Sequence, residues 1–144
     1  MLYPNPYQSN ENPYNQYKQT AIQTASPEKL LIMLYDGAIK FANQAKANIM
    51  AKNIEEANTF IIKTQDIITE LMFTLDMDYE ISKNLYRIYD FINWRLFQAN
   101  LKQDAMLIEI VVNIMMGLRS TWAEAALIVK KEERKVVGGV SIEG

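Results

Sequence analysis

The chain has 144 residues, of which 49% are hydrophobic and 22% are charged, so we expect a single soluble domain with one hydrophobic core. It carries 15 lysine and arginine residues against 17 aspartate and glutamate residues, and this lack of positive excess argues against nucleic acid as a partner. Cysteine and histidine are both absent, which excludes disulfides, thiolate nucleophiles, Cys/His zinc sites and Ser-His-Asp triads.

The first 26 residues do not resemble a secretory signal, because they lack a basic start followed by an apolar run of about ten residues. The longest apolar stretches are residues 30–35 and 105–118, and both are shorter than the roughly 20 residues that span a membrane. We therefore predict a cytoplasmic protein without membrane insertion.

Helix-breaking residues are concentrated near the chain ends. The prolines lie at positions 4, 6, 13 and 27, and residues 38–116 contain neither proline nor glycine. Such a run predicts helices, because the turns between strands usually contain one of these residues. Ser26, Pro27 and Glu28 form a typical helix start, since serine caps a free N–H, proline suits the first turn and glutamate favours the positive end of the dipole. We predict a first helix over about 27–51.

Apolar residues then recur every three or four positions in three further segments, as buried helix faces require. Asn53 followed by Glu56 predicts a capping box at the start of the second helix. The predicted core faces of the second, third and fourth helices are, in turn, Ile54, Ala57, Ile61, Thr64, Ile68, Leu71 and Leu75; Ile81, Leu85, Ile88, Ile92, Leu96 and Ala99; and Leu107, Val111, Ile114, Leu118, Thr121, Ala125 and Ile128. Short connections between these helices predict an all-α fold, an antiparallel up-down four-helix bundle over residues 21–130.

The bundle is predicted to lie between two flexible ends. Residues 1–20 are polar but contain four tyrosines, so we predict a flexible N-terminal segment that can dock as a cover over a groove. Residues 131–144 lose the apolar periodicity and contain a glycine pair, which predicts a frayed helix end and a flexible C-terminal tail.

The fourth helix carries more hydrophobic side chains than one core face needs. Ile108, Val112 and Met115, with Arg119 and Trp122, form a second stripe about 100° away from the first. Two interpretations remain open: a thickly buried helix or homodimer seam, and a groove for an amphipathic helix of another protein. Eight methionines suit an adaptable apolar surface of the second kind.

Acidic pairs such as Asp76 and Asp78 lie at helix starts, where capping explains them. The predicted core faces hold no carboxylate or lysine that could act inside the bundle. We predict that the protein is not an enzyme and needs no cofactor or metal.

Several segments resemble the flagellin export chaperone family, FliS. They are YNQYK at 14–18, TASPEKL at 24–30 and MLYDGAIKF at 33–41, followed by Leu85, Ile88-Tyr89-Asp90-Phe91, Arg95-Leu96, Ala99-Asn100, Leu118-Arg119 and Trp122. The resemblance covers residues 14–126. It departs from the family in the loop Asp76–Glu80, which lacks the glycine pair that many members carry before the third helix.

The resemblance implies a cytosolic chaperone that binds the C-terminal segment of flagellin, prevents premature polymerisation and delivers flagellin to the flagellar export gate. We expect a protein that is mostly monomeric when free. The partner-binding residues that we predict are Tyr14, Tyr17, Ile22, Ile108, Val112, Met115 and Trp122. The alternative function is a self-associating structural or adaptor bundle.

Overall fold

The structure is a computed structural model that describes the backbone of residues 26–143 and the side chains of residues 26–135. It contains four helices: α1 (Pro27–Met50), α2 (Ile54–Phe73), α3 (Glu80–Lys102) and α4 (Ala105–Glu143). No strand occurs within this part of the chain, and the predicted all-α bundle is confirmed. The predicted N-terminal segment 1–20 lies outside the described residues.

The start of α1 agrees with the sequence prediction, whereas the start of α2 does not. The Ser26 side chain accepts a hydrogen bond from the Lys29 N–H at 3.3 Å, and Pro27 occupies the first helical position. Asn53 makes no side-chain cap, so the predicted capping box is wrong. The link between α1 and α2 is instead closed by the backbone: Lys52 adopts a positive φ of 60°, and the Asn53 N–H donates to the Asn48 carbonyl at 2.8 Å. This tight reversal holds Asn53 in a conformation from which its side chain does not reach the helix.

The helices pack in the order of the chain, with α1 against α2 and α4, and α3 against α2 and α4. Two ion pairs, Lys46–Glu109 and Asp36–Arg119, join α1 to α4. The two pairs are ten residues apart on each helix, but Asp36 precedes Lys46 on α1 whereas Arg119 follows Glu109 on α4. The two helices are therefore antiparallel. The start of α1 therefore lies near residues 128–129 of α4, and the remainder of α4 extends beyond α1.

The predicted core face of α2 is confirmed except at its ends. Its buried residues are Ala57, Ile61, Thr64, Ile68 and Leu71. Ile54, in the first turn of α2, is instead exposed. On α3 the predicted Leu85, Ile92, Leu96 and Ala99 are buried, while Ile81 in its first turn is exposed. A helix end has fewer neighbours than its middle, so periodic residues there are not covered.

Two buried tyrosines that the periodicity did not select meet in the bundle interior. The hydroxyls of Tyr35 on α1 and Tyr89 on α3 hydrogen-bond to each other, with ring centroids 6.5 Å apart. The bond satisfies both hydroxyls inside the core and ties together two helices that are diagonal neighbours in the bundle.

The last helix is longer than predicted. Helical backbone continues past Lys130 to Glu143, so the predicted end near residue 130 is wrong. Lysine, glutamate and arginine are good helix formers, and no breaker occurs between Lys130 and Gly138. The side chains of residues 131–135 are exposed, as expected where α4 has passed the start of α1.

Helix α4 also corrects the membrane analysis. Its segment Ala105–Lys135 is long and apolar enough to cross a membrane by length and composition, because the helix does not stop at residue 118. Core helices of soluble proteins pass the same test. In this bundle Ile108, Val111 and Met115 of that segment are fully buried against other helices, whereas Met116, Leu127 and Ile128 are exposed, so the segment is only partly buried.

Candidate protein-binding groove

Three of the residues predicted to bind a partner lie in the core instead. Ile108, Val112 and Met115 are 0%, 7% and 0% exposed, so the prediction that they form a stripe outside the core is wrong. The stripe assigned to the core is less buried: Val111 is fully buried as predicted, but Leu107, Ile114 and Leu118 are only partly covered, and Ile128 is exposed. Two adjacent apolar stripes are equivalent in sequence, and the positions of α1 and α3 decide which one faces inward.

Trp122, the next predicted partner-binding residue, does reach an accessible surface. It is half-buried and lines a cavity of about 330 Å³ between the start of α1 and the second half of α4. The cavity is almost wholly apolar, and its other main walls are Pro27, Leu31, Ala125 and Val129.

A second cavity, of about 650 Å³, lies along the same pair of helices. Ile32 and Met33 of α1 and Leu127 of α4 line it. The two cavities share Glu28, Ala126 and Val129, and we call them together the α1–α4 groove. Alanine at 123, 125 and 126 keeps the surface of α4 low here, which leaves room for side chains of a ligand.

Apart from Glu28, which lies where the two cavities meet, charged groups are found at the edge of the groove. Asp36 and Arg119 form an ion pair where α1 and α4 close together, with Arg119 Nη2 to Asp36 Oδ2 at 3.3 Å. The hydrogen bond and the charge of Asp36 raise the pKa of the Arg119 guanidinium. Lys29, Lys130 and Glu133 line the opposite part of the second cavity. An apolar floor with charged edges suits a peptide that has one apolar face.

The inner wall of the groove connects to the bundle core through Trp122. Trp122 packs against the buried core that contains Tyr35 and Tyr89. Burial, followed by the hydrogen bond that the two tyrosines share, raises the pKa of the Tyr35 hydroxyl far above its ordinary range. Burial also raises the pKa of Tyr89. Both hydroxyls are therefore neutral at physiological pH, and they add no charge to the core behind the groove.

The structure brings together only part of the predicted site. Tyr14, Tyr17 and Ile22 lie outside the described residues, and of the four predicted residues on α4 only Trp122 lines the groove. Sequence reasoning missed the α1 side, Leu31, Ile32 and Met33. A signal for it exists, because residues 30–35 form an unbroken apolar run, more than one core face requires.

Known proteins identify the family. A family profile described as "Flagellar protein FliS" matches residues 10–129. The chain is 36% identical over 131 residues to the flagellar secretion chaperone FliS of Bacillus subtilis, covering 91% of this chain and 98% of the relative. This chain belongs to the FliS family. The FliS protein of Campylobacter jejuni is 35% identical over 113 residues, covering 77% of this chain and 88% of the relative.

A solved structure agrees with the fold of this FliS-family chain. It is described as "Crystal structure of flagellar chaperone from bacteria", and it matches with a TM-score of 0.66 at 19% identity over 79% of this chain and 98% of that one. The family resemblance predicted from the sequence is confirmed, and with it the role of a flagellar secretion chaperone. The names of these relatives point to a non-enzymatic role.

Proposed function

We propose that this FliS-family chaperone binds the C-terminal segment of flagellin in the cytoplasm, prevents its premature polymerisation and delivers it to the flagellar export gate. The observation that carries the proposal is the α1–α4 groove, an accessible apolar channel with Trp122 in its wall and charges at its edge. No step of this function requires catalysis.

The dimensions of the groove suit an amphipathic helix. Along α1 it runs from Pro27 to Asp36, which at 1.5 Å per residue is roughly 14 Å. That length accommodates about two and a half helical turns of a ligand, enough for apolar anchors at i, i+3, i+4 and i+7. A flagellin segment that polymerises through apolar helix faces would have these faces covered in the groove.

The position of the groove also supports a covering role for residues 1–20. Ser26 and Pro27 line its two cavities, so the chain that precedes them begins at the edge of the groove. Tyr14, Tyr17 and Ile22 supply apolar anchors within reach of that edge along the chain. We propose that this segment shields the groove until flagellin displaces it.

Calorimetry with flagellin tests the proposal directly. Full-length flagellin should bind, and flagellin lacking its C-terminal segment should not. Leu127→Glu puts a charge on the groove wall and should weaken binding at least tenfold, which corresponds to about 1.4 kcal/mol. The matched control is Ile62→Glu, at an exposed position of α2, which should bind normally. Equal binding of truncated flagellin would disprove the proposal.

The alternative function is self-association, in which exposed apolar residues outside the groove would form the contact between two copies of the chain. Trp94 and Phe97 on α3 are both about half exposed. Size-exclusion chromatography with light scattering distinguishes the two functions. The chaperone should be largely monomeric alone and form a 1:1 complex with flagellin, whereas a structural bundle should form dimers or larger assemblies without flagellin.

A further inference from the structure

Helix α3 presents an apolar strip that faces solvent and is separate from the α1–α4 groove. The strip consists of four side chains with large exposed fractions: Phe91 (39%), Trp94 (54%), Phe97 (52%) and Leu101 (74%). Spacings of three and four residues place them along one side of α3 over about 15 Å. We call these four residues the α3 strip.

The strip is held in a defined conformation. The rings of Trp94 and Phe97 stack with centroids 5.7 Å apart and an interplanar angle of 18°. The Arg95 guanidinium lies 4.9 Å from the centroid of Phe91, and Arg95 Nη1 donates to Gln98 Oε1 at 2.8 Å. Ordered aromatic side chains lose little conformational entropy when a partner covers them, which favours a binding role.

A cavity extends the strip onto α2. It measures about 680 Å³ and is lined by Ile54 of α2 together with Phe97 and Leu101. Gln103, at the end of α3, also lines it, and the Gln103 Oε1 atom is buried without a hydrogen-bond partner among the described residues. The cavity can receive an apolar side chain.

The strip and the groove lie towards opposite ends of the bundle. Leu101 is close to the connection into α4 at Asp104, whereas the groove involves α4 from residue 122 onward. Phe91, at the other end of the strip, lies nearer the groove, but the groove is built by α1 and α4, and α1 is the diagonal neighbour of α3, so the two surfaces lie on different sides of the bundle. A single short helix therefore cannot occupy both surfaces.

Charge around the strip indicates what kind of partner fits it. Residues 87–102 contain three cations, Arg87, Arg95 and Lys102, and one carboxylate, Asp90, although the whole chain has a net charge of −2. Glu55 of α2 adds a second carboxylate at the cavity, so cations still exceed carboxylates around the strip. None of the three cations forms a salt bridge with another described residue. Unneutralised cations beside an apolar strip favour acidic groups on the partner.

We propose that the α3 strip docks an amphipathic helix that carries acidic residues beside its apolar anchors, and that this helix comes from a protein other than the client in the α1–α4 groove. Its apolar residues cover Trp94 and Leu101, and one of them enters the cavity beside Ile54. Its carboxylates pair with Arg87, Arg95 and Lys102. The proposal does not depend on flagellin being the client.

The test uses two synthetic amphipathic helices of about 18 residues, long enough to form helix on binding. Both have leucine at i, i+3, i+4 and i+7, and they differ only in carrying glutamate or lysine beside the leucines. The chain has two tryptophans, so Trp122→Phe leaves Trp94 as the only indole reporter. The acidic peptide should shift Trp94 emission to the blue and bind at least tenfold more tightly than the lysine peptide.

Two variants locate the binding surface. Leu101→Glu and the pair Arg87→Glu with Lys102→Glu should each weaken the acidic peptide at least tenfold without changing the Tm, because all three side chains are exposed. Ala47→Glu is the control, at an exposed position of α1 diagonally across the bundle from α3, and it should leave binding unchanged.

Three results would overturn the proposal. The first is equal affinity for the two peptides. The second is competition between the acidic peptide and a saturating flagellin C-terminal peptide, measured by calorimetry on the unmodified chain, because the strip would then belong to the client site. The third is a dimer of the free chain that Leu101→Glu dissociates, because a second copy would then be the occupant. The comparison of the two peptides uses no flagellin, so it still tests the α3 strip if flagellin does not bind to the α1–α4 groove.

Discussion

Tyr35 and Tyr89 show how two polar side chains can be part of an otherwise apolar core. Each hydroxyl is buried, and each satisfies the other through one hydrogen bond. Removing one hydroxyl leaves its partner without that bond, whereas removing both leaves no unpaired group. We expect Tyr89→Phe to lower the free energy of unfolding by about 1–3 kcal/mol, and the double variant Tyr35→Phe/Tyr89→Phe to recover part of that loss. Urea titration of the three proteins measures the difference, and additive losses would contradict the pairing.

The same pair predicts how stability depends on pH. Folding raises the pKa of both hydroxyls above the unfolded value of 10.0, because burial disfavours the phenolate. Below pH 10 both states are neutral and the contribution of the pair is complete; above pH 10 the unfolded state loses protons first, so stability falls. Thermal melts between pH 8 and 11 should show this fall in the native chain and a smaller one in the double phenylalanine variant. Identical alkaline profiles would show that other groups cause it.

Helix α4 shows that hydropathy alone does not define which face of a helix is buried. Val112 lies in the core, next to the exposed Asn113. Val112→Asp places an unpaired carboxylate among apolar side chains, and we expect it to lower the Tm by at least about 10 °C. Asn113→Asp introduces the same charge one position later and should change the Tm by no more than about 2 °C. Equal melting temperatures for the two variants would contradict the orientation of α4 described above.

The end of α4 leads to a different expectation. The start of α1 lies beside residues 128–129, and the described side chains beyond this point, 131–135, are exposed. We expect deletion of residues 137–144 to lower the Tm by no more than about 2 °C, because a helix end beyond its neighbours adds little packing. Calorimetric scans of the full and shortened chains provide the comparison. A loss of more than a few degrees would show that this end packs against the bundle.

For the whole molecule, the central question is how the bundle shields its apolar groove when no partner is bound. The proposed cover, residues 1–20, would compete with flagellin, so its removal should raise the apparent affinity by the fraction of time that the groove is closed. We would compare deletion of residues 1–13, deletion of residues 1–18, and Tyr17→Ala, by calorimetry against one flagellin peptide. At least one deletion should bind more tightly and self-associate more; unchanged values for all three would exclude a cover.

Much of the architecture could be predicted from the local pattern of residues. Ser26 and Pro27 define the start of α1, and the three- and four-residue spacing from Ala57 to Leu71 identifies the buried face of α2. These features depend on neighbours within a few positions, so the linear pattern contains the information. The resemblance of segments such as TASPEKL at 24–30 to the FliS family indicated the chaperone role, which the apolar periodicity does not reveal.

The binding surfaces depended on how the helices pack together. Ile108 and Met115 belong to the core because α1 and α3 flank that side of α4, although an adjacent stripe is equally apolar in sequence. Trp122 faces a groove only because α4 runs antiparallel to α1 and brings Val129 beside Pro27. The hydrophobic effect is not directional, so it does not determine which of two apolar stripes on a helix is buried. The neighbouring helices determine it, because they cover one stripe and leave the other exposed.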